Sequence, residues 1–89
     1  MKLKYTFVIN NVAGTNVAVP VGAGSETFRA YIKLNETGAY IFKMLKNDVT
    51  REEIIAAVLR DFTDCTEEQV AATVDAFIAR LDEAEVLIR

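Results

Sequence analysis

Eighty-nine residues is one small domain's worth of chain, long enough to bury about 60–65% of its unfolded surface and too short for a two-domain enzyme. At 52% hydrophobic and 26% charged it has ordinary globular usage, and with no histidine and a single cysteine, Cys65, it excludes His-based catalysis, a Cys/His zinc site and an internal disulfide. Its net charge of −3 is unevenly spread: residues 1–34 carry Lys2, Lys4, Arg29 and Lys33 against Glu26, a net +3, whereas residues 50–89 carry four arginines against ten acids, a net −6 that repels a polyanion.

The front of the chain reads as strands. Tyr5–Asn11 and Thr15–Val21 flank an Ala13-Gly14 turn signal and form a hairpin. Alternation places Val17, Val19 and Val21 on one face of its second strand, and Pro20, lacking an N–H, belongs near a strand end. After the small-residue loop Gly22–Thr27, Phe28, Ala30, Ile32 and Leu34 alternate with Arg29, Tyr31 and Lys33, giving a third strand with one apolar face and one basic, aromatic face.

At Asn35 the apolar period lengthens from two to about 3.6 residues. Asn35 is a good N-cap, Glu36 suits the positive end of a helix dipole, and Ala39, Phe42 and Leu45 share one face of a helix ending near Lys46-Asn47. Thr50 and Glu53 form a capping box for a second helix with an Ile54, Ile55, Val58, Leu59 and Phe62 stripe. Thr66 and Gln69 do the same for a third, whose core face is Val70, Val74, Phe77, Ile78 and Leu81. Val86-Leu87-Ile88 is a short apolar ending placed to pack or pair. The expected fold is α+β and winged-helix-like, a three-stranded antiparallel sheet followed by three α-helices, in one domain over residues 1–89. No apolar run reaches the roughly 18 residues of a membrane span, and the N-terminus leads into no signal-peptide core, so the sequence reads as soluble and cytoplasmic.

Little catalytic chemistry is on offer. Cys65 precedes a helix N-terminus but has acidic neighbours and no histidine base, so a structural cysteine is the better reading. Glu52-Glu53 and Glu67-Glu68 fall in first helical turns and serve the dipole. Asp61 and Asp64 lack a calcium-loop spacing, and Gly22 and Gly24 lack the Lys/Ser signature of a phosphate loop. The third helix offers Arg80 against Glu67, Glu68, Asp75, Asp82 and Glu83, a poor match to DNA.

What remains is a surface for a polypeptide. The strand from Phe28 to Leu34 has an open edge able to accept a further strand. On the third helix Ala72, Ala76 and Ala79 line up opposite the core face, bordered by Gln69, Thr73 and Arg80. Small side chains allow a backbone to approach, although a row of alanines also forms simply because alanine favours helix. Arg29 and Lys33 share the basic face with Tyr31, where an acidic peptide would meet them.

The run Leu34-Asn35-Glu36-Thr37-Gly38-Ala39-Tyr40-Ile41-Phe42 resembles the signature opening of the PqqD-like family, the pyrroloquinoline quinone biosynthesis protein D group. Thr50–Ile55 with Phe62 is similar to its second helix, and Val70 through Leu81 followed by Val86-Leu87-Ile88 to its third helix and apolar ending. The chain departs from the family at Lys46-Asn47-Asp48, in place of an Asp-Gly turn, and at Glu85, where a glycine is common. The resemblance implies a non-catalytic RiPP recognition element without a cofactor. Such a domain holds the leader of a ribosomally made precursor peptide as an added strand and delivers it to a modifying enzyme, commonly a radical SAM enzyme. The implied peptide site is Phe28, Arg29, Ala30, Tyr31, Ile32 and Lys33 on the strand, with Gln69, Ala72, Thr73, Ala76, Ala79 and Arg80 on the helix. The alternatives are a DNA-binding winged helix and a structural adaptor for an enzyme subunit.

Overall fold

Side-chain-to-backbone caps set where each helix begins. In the computed structural model, which describes residues 1–22 and 31–88, the elements run β1 (Lys2–Leu3), β2 (Phe7–Val12), β3 (Thr15–Pro20), β4 (Ile32–Leu34), α1 (Glu36–Met44), α2 (Arg51–Asp61), α3 (Glu67–Glu83) and β5 (Leu87–Ile88). Asn35 Oδ1 accepts from Gly38 N–H at 2.7 Å to open α1. Thr50 with Glu53, and Thr66 with Gln69, close reciprocal capping boxes at α2 and α3. Each cap contributes about 1 kcal/mol. Helix α1 stops at Met44, earlier than its apolar pattern suggests, because the next carbonyl, that of Leu45, accepts from Leu3 N–H at 2.8 Å and ties the helix end to β1.

The β2–β3 hairpin turns at Ala13 and Gly14, which have φ of 51° and 83°. Positive φ at both positions matches the right-handed twist of the flanking strands. β3 is the central strand of an antiparallel sheet ordered β2-β3-β4. Its register, Ile9 to Ala18 to Ile32, turns Ala18 and Pro20 toward the helices. Val17 and Val19 therefore lie on the outer face, and the most valine-rich face of the strand is not the one in the core. Pro20 ends β3 and pairs with Phe7 at a position where β2 needs no N–H from it.

The core gathers Phe7, Ala18, Ile32 and Leu34 from the sheet with Ile41, Phe42, Leu45, Ile54, Val58, Val74, Phe77 and Leu81 from the helices. Phe7 and Phe42 meet edge to face at 5.1 Å between ring centroids. Two short strands complete the fold: β1 and β5 pair antiparallel, Lys2 with Ile88 and Leu3 with Leu87. The N-terminal ammonium reaches Asp48 at 2.7 Å and Val49 C=O at 2.8 Å. The part of the third strand expected over Phe28–Ala30 and most of the loop before it lie outside the described residues.

Candidate functional site

Among the described residues no strand pairs with the outer edge of β4, and parity decides which backbone groups it presents there. Val21 N–H donates to Thr6 C=O at 3.0 Å, making Thr6 and Val21 a hydrogen-bonded pair. Such pairs alternate along an antiparallel ladder, so Val8–Val19 and Asn10–Val17 are also hydrogen-bonded. Val17 spends its N–H and C=O on β2, which makes its pairing with Lys33 the non-hydrogen-bonded kind. The N–H and C=O of Lys33 consequently point away from β3, out of the sheet.

That edge borders a groove of about 740 Å³ lined by Gly14, Thr15, Lys33, Leu34, Asn35, Gly38, Ile41, Thr73, Ala76, Phe77 and Arg80. Its floor is apolar, with Leu34 and Ile41 buried and Phe77 only 9% exposed. Its far wall is the exposed Thr73, Ala76 and Arg80 of α3. Gly38 keeps α1 close: a Cβ there would stand 3.0 Å from Asn35 Oδ1 and 3.3 Å from Phe77 Cε1. One polar contact bridges the two walls, where Arg80 Nη2 donates to Lys33 C=O at 3.0 Å. Among the described residues the lining has two cations and no carboxylate, an electropositive strip in a chain of net charge −3. A main-chain donor and acceptor beside an apolar floor suit an extended backbone.

The family model for coenzyme PQQ synthesis protein D (PqqD) matches residues 9–87. The chain belongs to the PqqD family. Among solved structures this PqqD-family chain is similar to TbiB1 in complex with the TbiA(beta) leader peptide, with a TM-score of 0.71 and 22% identity over 98% of this chain and 94% of that one. The likeness bears out the α+β fold of three sheet strands and three helices. No curated protein matches the chain.

Of the residues the PqqD resemblance implies for the site, Lys33, Thr73, Ala76 and Arg80 come together in the groove. Ile32 turns its side chain into the core at 6% exposure and pairs with Ala18. Tyr31 precedes β4 and is 62% exposed. It lines a second depression of about 390 Å³ on the outer face of the sheet with Val12, Thr15, Val17, Val19 and Lys33. Gln69 closes the α3 capping box, and Ala72 and Ala79 are exposed outside the groove lining. Phe28, Arg29 and Ala30 lie outside the described residues. The groove residues outside the implied site are Gly14, Thr15, Leu34, Asn35, Gly38, Ile41 and Phe77; of these, period and capping mark Leu34 and Phe77 as core and Asn35 as a cap without placing them at a groove. Gly38 alone carried a signal, a glycine inside an otherwise well-formed helix.

Charged pairs elsewhere brace the scaffold. Arg51 grips Asp75 with two bonds of 2.5 and 2.9 Å, joining α2 to α3. Bonding to that guanidinium lowers the Asp75 pKa below the usual carboxylate range. Asp61 is lowered first by Arg60 and then by the Tyr40 hydroxyl that donates to it. Asp48 is lowered by the N-terminal ammonium. Cys65 is exposed. Among the described residues no group of acids and cysteine is placed to hold a metal ion, and no helix is long and apolar enough to cross a membrane.

Proposed function

We propose that this chain is a non-catalytic peptide chaperone: one cytoplasmic domain that binds the leader of a ribosomally made precursor by strand addition at β4 and presents it to a modifying enzyme. The outward N–H and C=O of Lys33 supply main-chain pairing. The groove between β4 and α3 supplies shape. The observation that carries the reading is this open edge facing an apolar floor in a chain of the PqqD family, supported by the similar fold of TbiB1, which was solved in complex with a leader peptide. A radical SAM enzyme is the partner that the family resemblance implies. The acidic α3 surface argues against a DNA-reading helix, because nucleic-acid affinity rests on clustered cations.

The test is a nitrogen-15 NMR titration with leader segments of short peptides encoded beside this protein's gene. Shifts concentrated at Lys33, Thr73, Ala76 and Arg80, with slowed exchange of the Lys33 amide, are the expected result. Saturable shifts that instead cluster on α2, or a duplex DNA shifting α3 at moderate salt, would overturn it.

A further inference from the structure

The resting contact between Arg80 and Lys33 spans the groove at the point where an added strand has to pair. Lys33 C=O is an acceptor that β4 turns away from its own sheet, and in the free protein the Arg80 guanidinium holds it. An incoming strand brings its own N–H to that carbonyl and displaces the guanidinium from the edge. Among the described residues Arg80 forms no ion pair, in contrast to Arg51 with Asp75 and Arg60 with Asp61. Among the described residues the other charge lining the groove is Lys33, also positive. With no carboxylate among the described lining residues, a displaced guanidinium is best partnered by one on the ligand.

We infer that the groove selects an extended peptide bearing an aspartate or glutamate, and that Arg80 exchanges the Lys33 carbonyl for that carboxylate as the strand adds. The inference rests on the peptide-binding reading above and names its ligand class. Strand geometry also fixes where the acid sits. The peptide residue opposite Lys33 turns its side chain to the outer face, with Lys33 and Tyr31. Its two neighbours turn theirs toward α3, and one of these carries the acid. One turn of α3 separates Arg80 from Ala76, about 6 Å, comparable to the roughly 6.8 Å between alternate strand residues. The residue two places from the acid therefore lies over Ala76, Phe77 and Ile41 and is apolar.

The test is selection from a displayed library of random dodecapeptides on the full chain and on Arg80→Gln, which keeps a donor for Lys33 C=O but loses the charge. Wild type should enrich Asp or Glu at one fixed position with an apolar residue two places away, and Arg80→Gln should yield binders without the acid. For one selected peptide, fluorescence anisotropy should read about fivefold weaker binding when its acid is made the amide, the scale of a well-placed exposed ion pair. That ratio should fall below about 1.5-fold on Arg80→Gln. Binders with no acid preference, or an acid preference that survives in Arg80→Gln, would overturn this inference alone and leave Arg80 as a cover for the edge. A selection yielding no binders would overturn the peptide-binding reading and this inference with it.

Discussion

The three-stranded sheet ends in two differently treated edges. On the β2 side the chain leads in from β1, and a depression of about 540 Å³ runs past Lys2, Leu3, Lys4, Tyr5, Thr6, Phe7, Val8 and Lys46. Three lysines border it, with Lys4 Nζ 5.7 Å from the centre of the Tyr5 ring. Strongly hydrated charges that no strand can dehydrate cheaply are a common guard against unwanted strand pairing. On the β4 side a single guanidinium on a neighbouring helix holds the edge carbonyl. The first arrangement places three lysines near the start of β2, where they disfavour strand pairing, and the second gives way to a strand carrying the right side chain.

The largest expected effect comes from removing the edge donor. Lys33→Pro deletes an N–H that points out of the sheet, so no β3–β4 bond is lost, unlike Ile32→Pro, which strikes the pairing with Ala18. Proline's φ is less extended than a strand's, and that strain is expected to cost about 1–2 kcal/mol. Circular dichroism should show a cooperative melt lowered by several degrees, while peptide affinity by calorimetry falls by about 30-fold or more. Lys33→Ala is the control that keeps the N–H. Equal affinities of the two variants would mean that strand addition does not use this edge.

Next in size is Ala76→Arg. Ala76 is exposed on the wall opposite Lys33, so stability should move by less than about 0.5 kcal/mol. The long side chain should obstruct the groove and weaken peptide binding about tenfold, near 1.4 kcal/mol. The equivalent change at Ala72 or Ala79, outside the groove lining, should leave affinity within twofold. If Ala72→Arg and Ala76→Arg behave alike, the alanine row acts as one helix-forming surface.

That contrast marks what the sequence made legible. Asn35, Thr50 and Thr66 were readable as caps because each acts on a backbone N–H three residues away. The apolar stripes of the helices were readable from their period, which local geometry determines. Period two tells which strand residues share a face but not which face is covered. The register of Ile9, Ala18 and Ile32 decides that, and it is a property of three strands together. Strands of two residues, such as β1 and β5, have no period to read. The groove was half legible: its helix wall follows from residue size, while the Lys33–Arg80 contact joins residues 47 apart in the chain. Nothing local announces it.

A smaller effect sits between α3 and β5, away from both sheet edges. Glu85 has φ of 60°, a left-handed conformation, and turns the chain from α3 into β5. Its N–H donates to Asp82 C=O at 3.0 Å. This is the position where the family commonly has glycine, and the backbone supplies the reason, since a side chain in this region costs about 1 kcal/mol. Glu85→Gly should raise the melting temperature by about 4–8 °C, less whatever glycine's flexibility in the unfolded chain removes. Peptide affinity should not change. A lowered melting temperature would mean that the Glu85 side chain contributes more than its backbone strain costs.

The smallest effects test the comparison most directly, because they exchange the same charge at the two edges. Lys33 lines the groove, whereas Lys46 borders the β2 side, and both are exposed. An exposed ion pair contributes about 0.2–1 kcal/mol, so Lys33→Glu should weaken binding of an acidic peptide by no more than about fivefold. Most of that loss should appear as slower association, with the effect shrinking as salt rises. Lys46→Glu removes the same charge and adds the same acid on the other border, and it should leave affinity within twofold at every salt concentration. Its effect should appear instead in self-association, measured by sedimentation at high protein concentration, where Lys2, Lys4 and Lys46 together outweigh any one of them. If Lys46→Glu slowed association as much as Lys33→Glu, the peptide would be responding to the net charge of the molecule, and the two edges would be electrostatically equivalent to it.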